Sequence, residues 1–285
     1  MGQDSKALFA MVERMPTFSQ NVVRIIQLTS DIDAAPKELV RLVEHDPILT
    51  LKVLKLVNSA YFGLARPVTS VRQGVVYVGI NTIKHLAVSI AAIGALPRAN
   101  DAGFDMNAFW SHSLVTAAIA KLLAQQRGVS RADTTGYFIA GLLHDIGQVV
   151  FAQFMPAAYR EVLAQARSGE LQLPVLEREV LGTTHAELGA VLAERWNLPP
   201  ELVAAIRHHH DPAALDAAGE LDRCVFVANQ LAKLRAGAGE QLSAVEPLTP
   251  VLAAWLGLPL ADLPAQLPGL EQEIDSAHAF VQVGA

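Results

Sequence analysis

The stretch GLLHDIGQVVF, residues 141–151, places His144 beside Asp145 at the end of an apolar run and follows the pair with Gly147. A glycine there predicts a helix end, so the pair is expected in a last turn, pointing inward among apolar neighbours. A carboxylate and an imidazole in that position need partners, because an unpaired buried charge is costly. A metal ion would satisfy both, as in sites that hydrolyse phosphate esters. Hydrogen bonds to neighbouring helix ends would also do so. The dipeptide alone does not decide, since VEHDPILT at 43–50 holds a second pair, His45 and Asp46. There Asp46-Pro47 reads as a helix N-cap with proline at the first turn, not as a metal ligand.

Working outward, apolar residues recur at helical spacing almost everywhere. Helices are predicted at 5–14, 19–30, 36–44, 47–60, 70–80 and 81–96, with 58–70 a turn-rich connection. PRANDAGFD at 97–105 is a polar, turn-rich boundary. Beyond it helices are predicted at 107–127, 131–144, 148–153, 156–167, 174–181, 185–196, 199–210, 221–235, 249–256 and 269–282. Thr184 and Glu187 have the spacing of a capping box, and RAGAGEQ at 235–241 reads as a flexible break. The reading is an all-α, multi-helix bundle. Its parts are an N-terminal lobe at 1–100, a second lobe at 101–240 and a C-terminal helical extension at 241–285.

The chain has 285 residues, 52 % of them hydrophobic, with a formal net charge of −6. That balance, without a basic arm, disfavours direct nucleic-acid binding. No uninterrupted apolar stretch reaches the length of a membrane span, and the N-terminus lacks the pattern of a signal peptide. Cys224 is the single cysteine, which suits a reducing cytoplasm.

Nine histidines are spread over several predicted helices, so the question is which face the core. His112 shares the apolar stripe of Val115, Ile119 and Leu122. His185 opens a helix, and its local pattern reads as an exposed first-turn residue. Three successive positions on a helix cannot face one site. Leu202, Val203 and Ile206 define the buried stripe, which selects His209 and His210 as inward and leaves His208 at the rim. His85 and His278 have no neighbouring ligand types.

The succession of motifs resembles the HDOD family, the regulatory branch of the HD superfamily. The residues that carry the resemblance are EHDPILTLKVLKLVNSAYFG (44–63), SVRQGVVYVGINTIKHLAVS (70–89), FWSHSLVTAAIA (109–120), GLLHDIGQVVF, TTHAELGAVLAERWNLP (183–199) and AIRHHHDP (205–212). They follow in the family's order over roughly 12–235. The resemblance implies an HD-like helical fold in a bacterial signalling output module that works through protein partners, such as receiver, GGDEF or EAL proteins. It also implies a degenerate metal site. The ligands of active relatives fall on His112, His144, Asp145, His185, His209 and His210. The closing aspartate falls on Asn229, and the lysine that follows the pair in active relatives falls on Gln148. The Gly-Tyr-Pro element of the cyclic-dinucleotide enzymes is replaced by DPAALDAAGE after His210.

A divalent ion (Fe, Mn, Mg or Zn) is therefore the expected cofactor. Asn229 is a poorer ligand than a carboxylate, and Gln148 removes a cation that would neutralise a phosphate. A non-catalytic regulatory module is the first reading. A metal-dependent phosphohydrolase and a small-ligand sensor are the alternatives. Asn58, Tyr61, Phe62 and Leu64 form the candidate partner surface.

Overall fold

The computed structural model describes residues 10–29, 36–131, 133–167, 171–236 and 244–284. Among them the structure is helical, with no strand. After a helical stretch at 10–14, the N-terminal part contains α1 (Gln20–Thr29), α2 (Pro36–Glu44), α3 (Pro47–Val57), α4 (Val71–Val78) and α5 (Ile80–Ala95). The central part contains α6 (Met106–Gln126), α7 (Thr134–Leu143), α8 (Ile146–Phe154), α9 (Pro156–Ala166), α10 (Leu173–Leu181), α11 (His185–Arg195), α12 (Pro200–His208) and α13 (Glu220–Ala236). A 3-10 turn at Ala214–Asp216 lies between α12 and α13. The chain then forms α14 (Pro250–Leu256), a 3-10 segment at Leu260–Gln266, and α15 (Leu270–Gly284).

Local chemistry sets most of these boundaries. Asp46 caps α3, accepting from the Ile48 and Leu49 amides at 3.0 and 2.9 Å, with Pro47 at the first turn. Thr184 and Glu187 form the capping box expected for α11. Three expectations need correction. The helix from Pro47 ends at Val57 rather than near 60, where the Asn58 amide caps it. The 3-10 segment at Leu260–Gln266 was not read from the sequence. Gly147 is not a helix end: α7 stops at Leu143, His144 and Asp145 form the turn, and Gly147 is the second residue of α8. Most of the expected break at 235–241 and the start of the helix expected at 5–14 lie outside the described residues.

One hydrophobic core runs from Val12 to Val283 on both sides of the 97–105 connection. Trp196, fully buried after α11, donates from Nε1 to Pro16 O at 3.0 Å and stacks on Phe18 at 4.7 Å. This ties the beginning of the chain to the central helices. Truncating a buried tryptophan of this kind typically costs about 3–5 kcal/mol. A second core joins α6 and α13 to the 252–270 region through Ile119, Leu123, Phe226, Leu231, Leu252 and Leu263.

α15 folds back over α3, α5 and α6. It is held there by a Lys121–Glu273 ion pair at 2.6 Å, with the Lys121 ammonium 4.0 Å above the Tyr61 ring.

Candidate metal centre

Five imidazoles from four places in the fold surround one carboxylate. His112 comes from the middle of α6, and His144 and Asp145 from the turn between α7 and α8. His185 opens α11, and His209 and His210 follow the end of α12. Asp145 divides them between its two oxygens. Oδ1 lies 3.1 Å from His185 Nε2 and 3.2 Å from His209 Nε2. Oδ2 lies 3.2 Å from His144 Nε2 and 3.7 Å from His112 Nε2. Two donor groups thus share Asp145: His185, His209 and His210 on one side, His112 and His144 on the other.

The outer nitrogens fix the ring tautomers. His144 Nδ1 donates to Gly141 O at 2.7 Å and His209 Nδ1 to Ile206 O at 2.6 Å. His185 Nδ1 is 2.6 Å from Glu177 Oε2, which also accepts from the His185 amide at 2.8 Å. His210 Nδ1 is bonded to Glu246 Oε1. A histidine that donates its outer N–H to a carbonyl or carboxylate presents the other nitrogen as a ligand, the arrangement usual around metals.

The inner atoms converge. His144 Nε2 and Asp145 Oδ1 are buried and lack an aligned hydrogen-bond partner among the described residues, despite their short approaches. His185 Nε2 and His209 Nε2 are 3.1 Å apart. Metal–nitrogen bonds of about 2.0–2.1 Å place neighbouring ligand atoms about 3 Å apart, so the donor set fits a divalent ion. His144, Asp145, His185, His209 and His210 are the residues that would hold it, with His112 beside them turned to Asn229. A bound ion would act there as a Lewis acid and lower the pKa of a coordinated water.

The electrostatics agree with a site prepared for a cation. Burial pushes His112 down to about 4 and His209 to about 3, so both are neutral near pH 7. Burial works in the same direction on His210. Burial would raise the Asp145 carboxyl, but the imidazoles of His144, His185 and His209 pressed against it hold it well below the usual range. At His185 burial is outweighed by the Glu177 and Asp145 carboxylates, which lift it to about 10. A proton on this ring occupies the place where an ion would sit.

Each expected site residue can now be placed. His209 and His210 face inward as the helical stripe indicated, and His208 is partly exposed beside Asp222 at 3.3 Å. His185 is fully buried rather than exposed, because Glu177 fixes both its amide and its ring. Asn229 on α13 reaches the cluster: its Oδ1 is 3.0 Å from His112 Nε2. Gln148 is buried close by on α8.

The expectation that the site lacks a cation is corrected by Lys233, one turn beyond Asn229, which lies within electrostatic reach of Asp145, His112 and His210. Glu177, Lys233 and Glu246 were not singled out from the sequence. Glu177 had a signal, because with Leu173 and Leu176 it completes an i, i+3, i+4 stripe on α10.

Asn58 is exposed and Tyr61, Phe62 and Leu64 are half-buried, yet all four make contacts within the fold. The Asn58 side chain accepts from Val68 N at 2.6 Å and donates to Val68 O at 2.8 Å. Tyr61 packs edge-on against Phe138 and Phe280. Phe62 and Leu64 lie against the main core.

Two glycines bring the metal-facing elements together. A Cβ on Gly141 would lie 2.7 Å from Ala117 Cα, so α7 packs directly on α6. A Cβ on Gly147 would lie 2.0 Å from His185 O and 2.8 Å from Gly189 N. The start of α8 therefore touches the start of α11, and His185 meets Asp145.

The HDOD domain model matches residues 15–212, more than half of the chain. The chain belongs to the HDOD family. This HDOD chain is similar to a presumed signal transduction protein of Marinobacter aquaeolei VT8, at 28 % identity and a TM-score of 0.76, covering 99 % of this chain and 65 % of that one. It is also similar to a presumed phosphohydrolase of Shewanella amazonensis SB2B, at 26 % identity and a TM-score of 0.70, covering 98 % and 97 %. An uncharacterized protein of Treponema pallidum (strain Nichols) is 31 % identical over 204 residues, 70 % of this HDOD chain and 38 % of that protein. The chain thus spans under two fifths of the length of this curated relative. Among the described residues no single helix is long and apolar enough to cross a membrane.

Proposed function

We propose that this chain is a regulatory HDOD module whose His–Asp centre binds a divalent ion, and that it acts through a protein partner rather than through turnover. The observation that carries the reading is the contact between His112 Nε2 and Asn229 Oδ1 at 3.0 Å. Where active relatives place a carboxylate, this chain has a neutral amide that engages the nitrogen His112 would otherwise offer as a ligand. The ion is then held by His144, Asp145, His185, His209 and His210. Its two positive charges balance the buried Asp145 and Glu177 carboxylates. The likeness to a presumed signal transduction protein supports the regulatory role. Receiver, GGDEF or EAL proteins are the partner classes, in a cytoplasmic setting.

A second reading, a metal-dependent phosphohydrolase, is favoured by the density of imidazole donors and by the likeness to a presumed phosphohydrolase. The test is elemental analysis of protein purified without chelator, followed by assay of bis(p-nitrophenyl) phosphate with wild type and Asn229→Asp. The regulatory reading expects bound metal, no turnover by wild type, and activity only after the substitution. Wild-type turnover that disappears with Asp145→Ala would overturn it in favour of the enzyme. Metal-free protein from every preparation would remove both readings.

A further inference from the structure

We propose that Lys233 and His210 form an anion subsite beside the metal centre, and that the Glu246 carboxylate fills it in the resting protein as an internal substitute for a phosphoryl group. This rests on the metal-centre reading and extends it to a ligand class, a phosphate monoester or other small phosphorylated molecule.

The cation that active relatives carry after the His–Asp pair is replaced by Gln148, but the fold brings a cation in from another helix. Lys233 follows Asn229 by four residues and so shares its face of α13. Its side chain is 6 % exposed. A buried ammonium requires a counter-anion. Asp145 is committed to the imidazoles, and Glu246 arrives instead from the non-helical segment 244–249. Its Oε1 lies 3.1 Å from Lys233 Nζ and also accepts from His210 Nδ1. The Glu246 side chain is 13 % exposed, so this position communicates with solvent. Its backbone is held by the Glu246 amide donating to Gln230 Oε1 at 2.7 Å.

A separate observation points to unmet donors on the same helix. Asn229 Nδ2 and Gln230 Nε2 are buried and have no hydrogen-bond partner among the described residues. The Glu246 amide fixes the Gln230 side chain with its oxygen toward the segment, and the Nε2 donor sits on the same amide carbon. One stretch of α13 thus offers an ammonium and two unmatched amide donors. A carboxylate has two oxygens, whereas a phosphoryl group has three or more acceptors. Outward movement of Glu246 would exchange one anion for another and keep the buried charge compensated.

The test is calorimetric titration of the full chain with inorganic phosphate, in chelator-treated and Mn2+-loaded protein. Glu246→Gln, nearly isosteric, is expected to tighten phosphate binding about tenfold over wild type. Adding Lys233→Met should remove the gain, and adding Lys233→Arg should retain it, which separates charge loss from misfolding. Equal affinity in wild type and Glu246→Gln would overturn the proposal, as would tight binding that survives Lys233→Met. Bound metal with phosphate affinity indifferent to both positions would overturn the subsite alone. Lys233-dependent phosphate binding in a chain that takes up no metal would support the subsite and refute the metal reading.

Discussion

His185 Nε2 and His209 Nε2 stand 3.1 Å apart, and both lie within 3.2 Å of the same oxygen of Asp145. His209 gives its outer N–H to Ile206 O, so its inner nitrogen carries a lone pair. His185 gives its outer N–H to Glu177, and only a proton or a metal ion between the two rings relieves the repulsion of facing lone pairs. Glu177 therefore controls how strongly His185 donates. Glu177→Gln should weaken metal binding about 10- to 100-fold while every ligand remains in place. Competition with a chromogenic chelator measures this, and an unchanged affinity would contradict the coupling.

The same atoms set a pH dependence. In metal-free protein His185 is lifted from 6.5 to about 10, so its contribution to stability is complete below pH 6.5 and is lost as pH rises toward 10. His112 and His209 are pushed down to about 4 and about 3, so their contribution is complete above pH 6.5 and is lost as pH falls. Chelator-treated protein should therefore melt at its highest temperature near pH 6.5. Bound Zn2+ should raise the alkaline side most, because the ion replaces the His185 proton. Melting curves from pH 4 to 10 with and without chelator test this; a flat metal-free profile would exclude it.

Gly147→Ala should be among the most damaging single substitutions. The new methyl carbon would meet His185 O at 2.0 Å and His185 C at 2.7 Å, both backbone atoms. Overpacking of a core usually costs about 1–3 kcal/mol and more where backbone must move. Stability should fall by at least the upper end of that range, and any folded fraction should bind metal poorly. Chemical denaturation together with metal analysis reads both effects.

Asn58→Ala separates a structural role from a binding role. Two hydrogen bonds join this side chain to Val68, and losing them leaves partly buried main-chain groups unpaired. The expected loss is about 1–3 kcal/mol, whereas a surface residue whose side chain bonds nothing in the fold would change stability by about 0.5 kcal/mol or less. Urea midpoints distinguish the two.

The sequence made some of these features legible and concealed others, for physical reasons. Helical spacing selected His209 and His210 because their stripe continues from Leu202, Val203 and Ile206. Asp46 was separable from Asp145 because a cap followed by proline has a local signature. Gly147 was misread, because glycine marks helix ends and close helix crossings alike and only the partner helix tells which. His185 looked exposed because the carboxylate that buries it comes from α10. Lys233 and Glu246 are 13 residues apart, and His210 and Glu246 are 36 apart. No periodic pattern encodes contacts made by a coil segment.

Lys52 on α3 donates to the carbonyl of Gly284 at 2.7 Å, across a separation of 232 residues. A Cβ on Gly284 would lie 2.8 Å from Ile93 on α5. These contacts join the first helices to the last turn of α15. During synthesis the early helices leave the ribosome long before their final neighbour exists. Long-range closure of this kind slows folding and leaves apolar surface uncovered in the meantime. A nascent chain stalled before α15 is thus a natural client for chaperones, and the time taken to translate α15 becomes part of the folding schedule.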